Sequence, residues 1–309
     1  MLLAETSSGQ DPRIGDSLLQ RGAVERAEAE YYAAAAARPR DPAARFALGQ
    51  YLAARGALRI GATLIDEAVQ FGYDRAAANA ALGRIYLSLG AYDNALRLPG
   101  YVFAPGQRAW LTWLNDHPER ASTPDSVVLI AFQRQATGSG GSLGDVSIRV
   151  DGSRLVARVS AQSGCTVRIA DTSAVARSLH VFPPAAIDST RRVFAAADSL
   201  SLNRLLVTNL AMTAERLSPG TAAVVCMELL ARYAPTFDPR AGTVALHVAG
   251  STPLPPHASM AMPLLDRGGE YQVLFNGEWT SLASPTVMRY LRDRRWTFDL
   301  RRRQVTIDP

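Results

Sequence analysis

Glycine recurs with a period of 34 in the first hundred residues, and does so twice: Gly15, Gly49 and Gly83 form one series, Gly22, Gly56 and Gly90 another. Apolar positions keep the same phase. Leu48 and Leu82 precede two glycines of the first series, Leu18, Leu52 and Tyr86 recur together, and Ala34 and Ala68 hold the period as well. A repeat of this length accommodates two short helices and a turn, with a small residue where the helices cross closely. Pro39 stands at a repeat end, and Leu98-Pro99-Gly100 cuts the last unit short. The pattern predicts two full repeats and a third whose second helix stops near Leu98. Ala33–Ala37 is a run of strong helix formers, not a membrane anchor.

These positions carry the tetratricopeptide (TPR) signature, and residues 1–100 resemble that repeat family. The resemblance implies a concave groove for another polypeptide, since each repeat contacts only its neighbours and the inner face stays open. Leu52 and Tyr86 are the expected contacts there. So short an array also fits a helical cap packed on the next domain. Residues 101–125 form the connection, and within it Trp110 and Trp113 have i,i+3 helical spacing. That spacing predicts a packing helix between domains, with an exposed aromatic anchor for a partner as the alternative.

Strand signals begin after residue 125. Val146–Val150 and Leu155–Val159 alternate in polarity about Asp151-Gly152, a strong hairpin turn. The chain then runs Val159-Ser-Ala-Gln-Ser-Gly-Cys-Thr-Val167. Leu202-Asn-Arg-Leu205 through Met212 reads as a second hairpin, and Ala223-Val-Val-Cys-Met-Glu-Leu-Leu230 leads to Thr236-Phe-Asp238 and a last strand near Leu246. Residues 126–248 resemble a retropepsin-like aspartic protease lobe, most specifically in this closing segment. On that pattern Ser160 falls at the catalytic aspartate, Ala161 and Gln162 at the two residues after it, and Cys226 replaces a turn glycine. The resemblance implies an architecture kept while its chemistry is removed. Aspartic proteases place two carboxylates on one water, and the pair shares a proton so that one acts as base and the other as acid. A serine hydroxyl does neither near neutral pH, and as a nucleophile it needs an activating base. None of His117, His180, His247 and His257 has a recognisable triad spacing to Ser160.

Two other aspartates, Asp171 and Asp266, stand in partial matches to the catalytic motif. Asp171-Thr-Ser-Ala174 is the nearest match to Asp-Thr-Gly-Ala, yet it also reads as a helix start, with Asp171 or Thr172 as cap and Ala174–Leu179 as the helix. Asp266-Arg-Gly-Gly269 faintly echoes Asp-x-Gly. The same resemblance brings the segments of Cys165 and Cys226 together, which implies a disulfide between them; two buried free thiols are the alternative. Bonding requires Cα atoms within about 7 Å. Metal binding is not expected, because no CxxC or neighbouring His spacing accompanies these cysteines, and no cofactor is implied.

The remaining residues, 249–309, read as a Gly250–Pro256 linker and a partial second β lobe. Thr236-Phe-Asp238 recurs as Thr297-Phe-Asp299; Tyr271–Phe275, Asn276-Gly277 and Trp279 predict a hairpin, and Pro285–Leu291 a short helix. Thr137–Gly144 reads as a flexible loop that lacks the Lys-Ser/Thr of a phosphate loop. There is no lysine: all 33 basic residues are arginine, for a net charge of +5. This balance favours acidic partners or anionic surfaces, and Arg294, Arg295 and Arg302 lie in its densest stretch. Without a supporting motif, nucleic-acid binding is not expected. No run approaches the roughly 20 apolar residues of a membrane span, and Met1–Ala4 is too short for a signal peptide's apolar core. A periplasmic or membrane-peripheral location is expected, a cytoplasmic one being the alternative.

The expectation is an α+β multidomain protein acting as a non-catalytic scaffold, bound to a protein partner through its repeats and β lobe as part of a larger protein complex, a membrane complex being one option. The alternative is an aspartic endopeptidase that uses Asp171 or Asp266 after dimerisation.

Overall fold

The computed structural model describes residues 11–104, 106–133, 142–162, 164–182, 192–248, 260–267 and 269–308. It has an α+β layout, and the chain divides into two compact units. One comprises Met1–Tyr101 with Leu265–Gly268 and Leu274–Trp279; the other holds Val102–Leu264, Gly269–Val273 and Thr280–Pro309.

Among the described residues, six helices build the first unit: α1 (Pro12–Gln20), α2 (Val24–Ala37), α3 (Pro42–Ala54), α4 (Leu58–Gln70), α5 (Arg75–Ser88) and α6 (Tyr92–Leu96). The first helix of each pair starts on an aspartate. Asp11 accepts the Arg13 N–H, Asp41 those of Ala43 and Ala44, and Asp74 that of Ala77, satisfying amides that a helix start leaves open. Each of these helices ends in the same turn. The N–H groups of Ala23, Ala57 and Ala91 donate to the carbonyls of Leu18, Leu52 and Tyr86 at 2.8–2.9 Å, and Gly22, Gly56 and Gly90 take the left-handed φ (+75°, +85°, +67°) that this ending requires.

The other glycine series has a different cause, close contact. A Cβ on Gly49 would meet Ile65 Cγ1 at 2.8 Å and the Gly61 carbonyl at 2.9 Å; one on Gly15 would meet the Tyr31 ring at 2.8 Å. Gly83 would strike Tyr101 instead. The third pair's second helix ends at Leu96, and a ring from the chain beyond it covers the glycine. Leu265 and Trp279 join the core of this unit beside Leu18, Leu19, Leu48, Tyr51 and Leu52.

The second unit opens with α7 (Gln107–Asp116). Its strands are β1 (Arg120–Ser122), β2 (Val127–Gln133), β3 (Ser142–Val150), β4 (Ser153–Ser160), β5 (Val167–Ala170), β6 (His180–Phe182), β7 (Val193–Leu202), β8 (Leu205–Glu215), β9 (Ala223–Cys226), β10 (Thr236–Asp238) and β11 (Thr243–His247). Helix α8 (Met227–Ala231) follows β9 directly. Strands β3, β4, β9, β5, β8 and β7 pair in that order, and β7 returns to β3 through Arg149↔Ser201 and Val150↔Leu200, closing a six-stranded barrel. Only β4–β9 and β5–β8 among these pairs run parallel. Ile148, Ile169, Leu200, Leu202 and Leu205 are fully buried. The β3–β4 hairpin turns on Asp151 (φ +46°) and Gly152 (φ +80°), both left-handed as the tight turn requires. Asp151 also accepts the Ser199 N–H at 2.8 Å, which ties the turn to β7.

The rest of the chain gives β12 (Met260–Asp266), β13 (Tyr271–Phe275), β14 (Glu278–Ser281), α9 (Pro285–Leu291), β15 (Trp296–Asp299) and β16 (Gln304–Ile307). The two Thr-Phe-Asp segments are β10 and β15, and they pair antiparallel with Thr236 opposite Thr297. Their hydroxyls lie 2.8 Å apart, and Phe237 stacks on Trp296 at 4.4 Å. Each segment leads into a turn held by its own aspartate: Asp238 accepts from Arg240 and Ala241, Asp299 from Arg302. Strands from residues 126–248 therefore share one sheet with strands from 249–309. The Gly250–Pro256 linker lies outside the described residues, as does most of the Thr137–Gly144 loop; its last three residues begin β3.

Candidate functional site

Strand β4 delivers Ser160 to the mouth of a loop that β9 flanks in parallel, with Ser160 opposite Cys226. Ser160 is buried, and its hydroxyl accepts the Gln162 N–H at 3.2 Å. Parallel pairing and burial hold this oxygen as a cap for the loop backbone. The loop is fastened at several further points. The Met227 N–H donates to the Gln162 carbonyl at 3.1 Å, and the Cys226 N–H to the Thr166 carbonyl at 2.9 Å. The Thr166 hydroxyl donates to the Ala211 carbonyl. Arg168 reaches Gln162 Oε1 at 3.1 Å with one guanidinium nitrogen and Glu215 Oε1 at 3.0 Å with another. Arg192 approaches the second Glu215 oxygen at 3.6 Å.

A Cys165–Cys226 disulfide crosses the same neighbourhood, with Cα atoms 5.7 Å apart. Cys226 is completely buried at the end of β9. The bridge therefore joins the loop after Ser160 to the last residue of β9, directly before α8. Gly164 takes a left-handed φ of +78°, and a Cβ there would lie 3.6 Å from the Gly269 carbonyl. A nucleophilic serine would need a histidine within hydrogen-bond reach. His117 instead bonds the Trp113 carbonyl, His180 the Asp198 carboxylate at 2.8 Å, and His247 the Thr236 hydroxyl at 3.2 Å; His257 lies outside the described residues.

Asp171 sits exposed in the turn after β5, and its N–H donates to the Glu215 carbonyl. The expected helix start is corrected in two respects. Ser173 is the cap, accepting the Val175 N–H, because its backbone is extended where the turn begins. The segment Ala174–Arg177 is a single 3-10 turn, ending before the expected Leu179. Asp266 closes β12 and falls in the helical unit, whereas Asp171 falls in the other. Among the described residues, no group of three or more His, Cys, Asp or Glu could hold a metal ion.

The other expected contacts divide. Leu52 is 3% exposed and belongs to the helical core, so it has no surface to offer a partner. Tyr86 is half-buried and donates to Asp66 at 3.1 Å; burial, with the Asp66 charge and hydrogen bond, pushes its hydroxyl up to about 12. Trp110 donates its indole N–H to the Ala195 carbonyl at 2.8 Å, and Trp113 packs on His117, His180 and Phe182. Both tryptophans thus seat α7 on β6 and β7. Of the terminal arginines, Arg294 lies over the Tyr290 ring, Arg295 pairs with Asp308 at 3.4 Å, and Arg302 with Asp299 at 3.7 Å. The sequence did not single out Arg168 or Glu215, which hold the loop. Lying 47 residues apart, they share no local pattern that could have marked them.

No family model and no curated protein matches the chain. Among solved structures, it has a distant likeness to a retropepsin-like aspartic protease from Rickettsia conorii, 11% identical over 41% of this chain and 92% of that one, with a TM-score of 0.27. No helix among the described residues is long and apolar enough to cross a membrane.

Proposed function

We propose that this protein is a non-catalytic scaffold: a TPR-like helical array and a protease-like β lobe in which Ser160 stands in place of the catalytic aspartate, acting by binding a protein partner in a larger assembly. The observation that carries this reading is the state of the Ser160 hydroxyl, buried and spent on the Gln162 amide. A loop stapled by a disulfide and held by Arg168 is built for rigidity rather than proton transfer. The constant 34-residue phase of the helical repeat supplies the binding half of the proposal, since successive helix pairs leave an extended face. The periplasm, or the surface of a membrane, suits a chain with both cysteines in a disulfide.

Two experiments test this. Purified protein is incubated with a peptide library at pH 3–8 and with a statine-type transition-state analogue of peptide hydrolysis; no analogue-sensitive cleavage is expected. Cleavage abolished by Asp171→Asn or Asp266→Asn would establish an aspartic endopeptidase and end the scaffold reading. Affinity purification from the native source should then recover a stoichiometric protein partner, and recovery of the chain alone would remove the binding half.

A further inference from the structure

The helical face expected to meet a partner already holds a ligand, and that ligand is the chain itself. Leu265 is fully buried among Leu18, Leu19, Leu48, Tyr51 and Leu52, with Trp279, Ala47 and Ala54 packed on the same cluster. Leu18 and Leu52 hold the same phase of the repeat, so the contact is made on the first helices of two successive pairs. The Trp279 indole donates to the Leu19 carbonyl at 2.5 Å, in the last turn of α1. Leu274 closes on the α1–α2 turn: a Cβ on Gly22 would lie 2.7 Å from Leu274 Cδ1 and 3.5 Å from the Gly277 carbonyl. The equivalent turn at Gly90 meets only the Tyr92 hydroxyl, at 4.0 Å.

These contacts have the make-up of a recognition site. An aromatic anchor is half-buried with its one polar group satisfied, an aliphatic side chain fits over a glycine, and the ligand is a short β-hairpin turning on Asn276-Gly277. We propose that α1 and α3 form a hairpin-binding site occupied in cis by Leu274–Trp279 and Leu265, and that an outside polypeptide can use this face only by displacing them. The helical unit is then self-occupied, and its binding is gated by release of its own hairpin. The displacement part rests on the scaffold reading above; the occupancy does not.

The test uses the full chain and, as probe, a fluorescein-labelled synthetic peptide of residues 262–282. The Leu274→Ser/Trp279→Ala double variant vacates the site, so it should bind the peptide about tenfold or more tightly than the unaltered chain, as loss of an aromatic anchor predicts. Adding Ala47→Arg on α3 should abolish that gain. Should the double variant lose its helical circular dichroism, Trp279→Phe takes its place; it removes the donated N–H and trims the indole to a single ring, and should give a gain of about threefold. Hydrogen exchange supplies a second reading, with faster exchange in the variant at the α1–α2 turn and unchanged exchange in β3 to β8. Equal peptide affinity in both proteins, or no binding together with unchanged exchange at α1 and α3, overturns the proposal. A partner that co-purifies equally with both proteins would remove the gating while leaving the scaffold reading intact.

Discussion

Ser160 hydrogen-bonds the Gln162 amide, and that single bond sets what the residue is worth. Ser160→Ala should cost about 1 kcal/mol, the usual size of one intramolecular bond plus an amide left unmet, read as a lower urea midpoint with an unchanged slope. A drop of several kcal/mol would mean that the hydroxyl serves more than this loop. Tyr86 gives a test in pH. Its hydroxyl is raised from 10.0 to about 12, first by burial and then by Asp66. The unfolded chain therefore loses this proton first as pH rises. The stability it contributes is complete below pH 10, falls as pH climbs, and is gone beyond about 12. Tyr86→Phe should flatten that alkaline limb in denaturation curves taken across pH 9–12.

Among the elements, the two glycine series separate by cause and so by expected damage. Gly49→Ala forces a methyl against Ile65 and the Gly61 carbonyl, an overpacking cost of about 1–3 kcal/mol. Gly90→Ala meets almost nothing, so its cost is the left-handed backbone alone, about 1 kcal/mol. Thermal melts of the two variants should rank Gly49→Ala below Gly90→Ala. The spacing of these glycines was legible because each helix pair repeats the same turn and a close contact at the same position. The hairpins at Asp151-Gly152 and Asn276-Gly277, and the helix Pro285–Leu291, were legible for the same reason: turn and cap chemistry is confined to a few adjacent residues. Leu52 was misread as a contact because phase tells which face a residue occupies and not what covers it. Its cover, Leu265 and Trp279, comes from more than two hundred residues away. Of the candidate site, the neighbourhood of Cys165 and Cys226 was read through a family likeness, while the Arg168–Glu215 clamp joins two strands with no shared sequence signal.

For the molecule as a whole, the disulfide is the strongest single constraint on the unfolded chain. It closes a span of 61 residues that contains β5 to β8, and losing such a cross-link costs about 2–4 kcal/mol. Cys165→Ser/Cys226→Ser should therefore unfold at lower denaturant than the oxidised protein, and a reductant should bring the oxidised protein to the same midpoint while leaving the double variant unmoved. The seam between β10 and β15 carries a consequence of another kind. Thr236 waits for Thr297, 61 positions later; at a ribosomal pace of about 5–20 residues per second, that is roughly 3–12 seconds of translation. During that interval one flank of β10 stands open to any passing strand. A nascent chain of this design profits from a chaperone near the exit tunnel, and one stalled between the two threonines is a seed for co-translational aggregation.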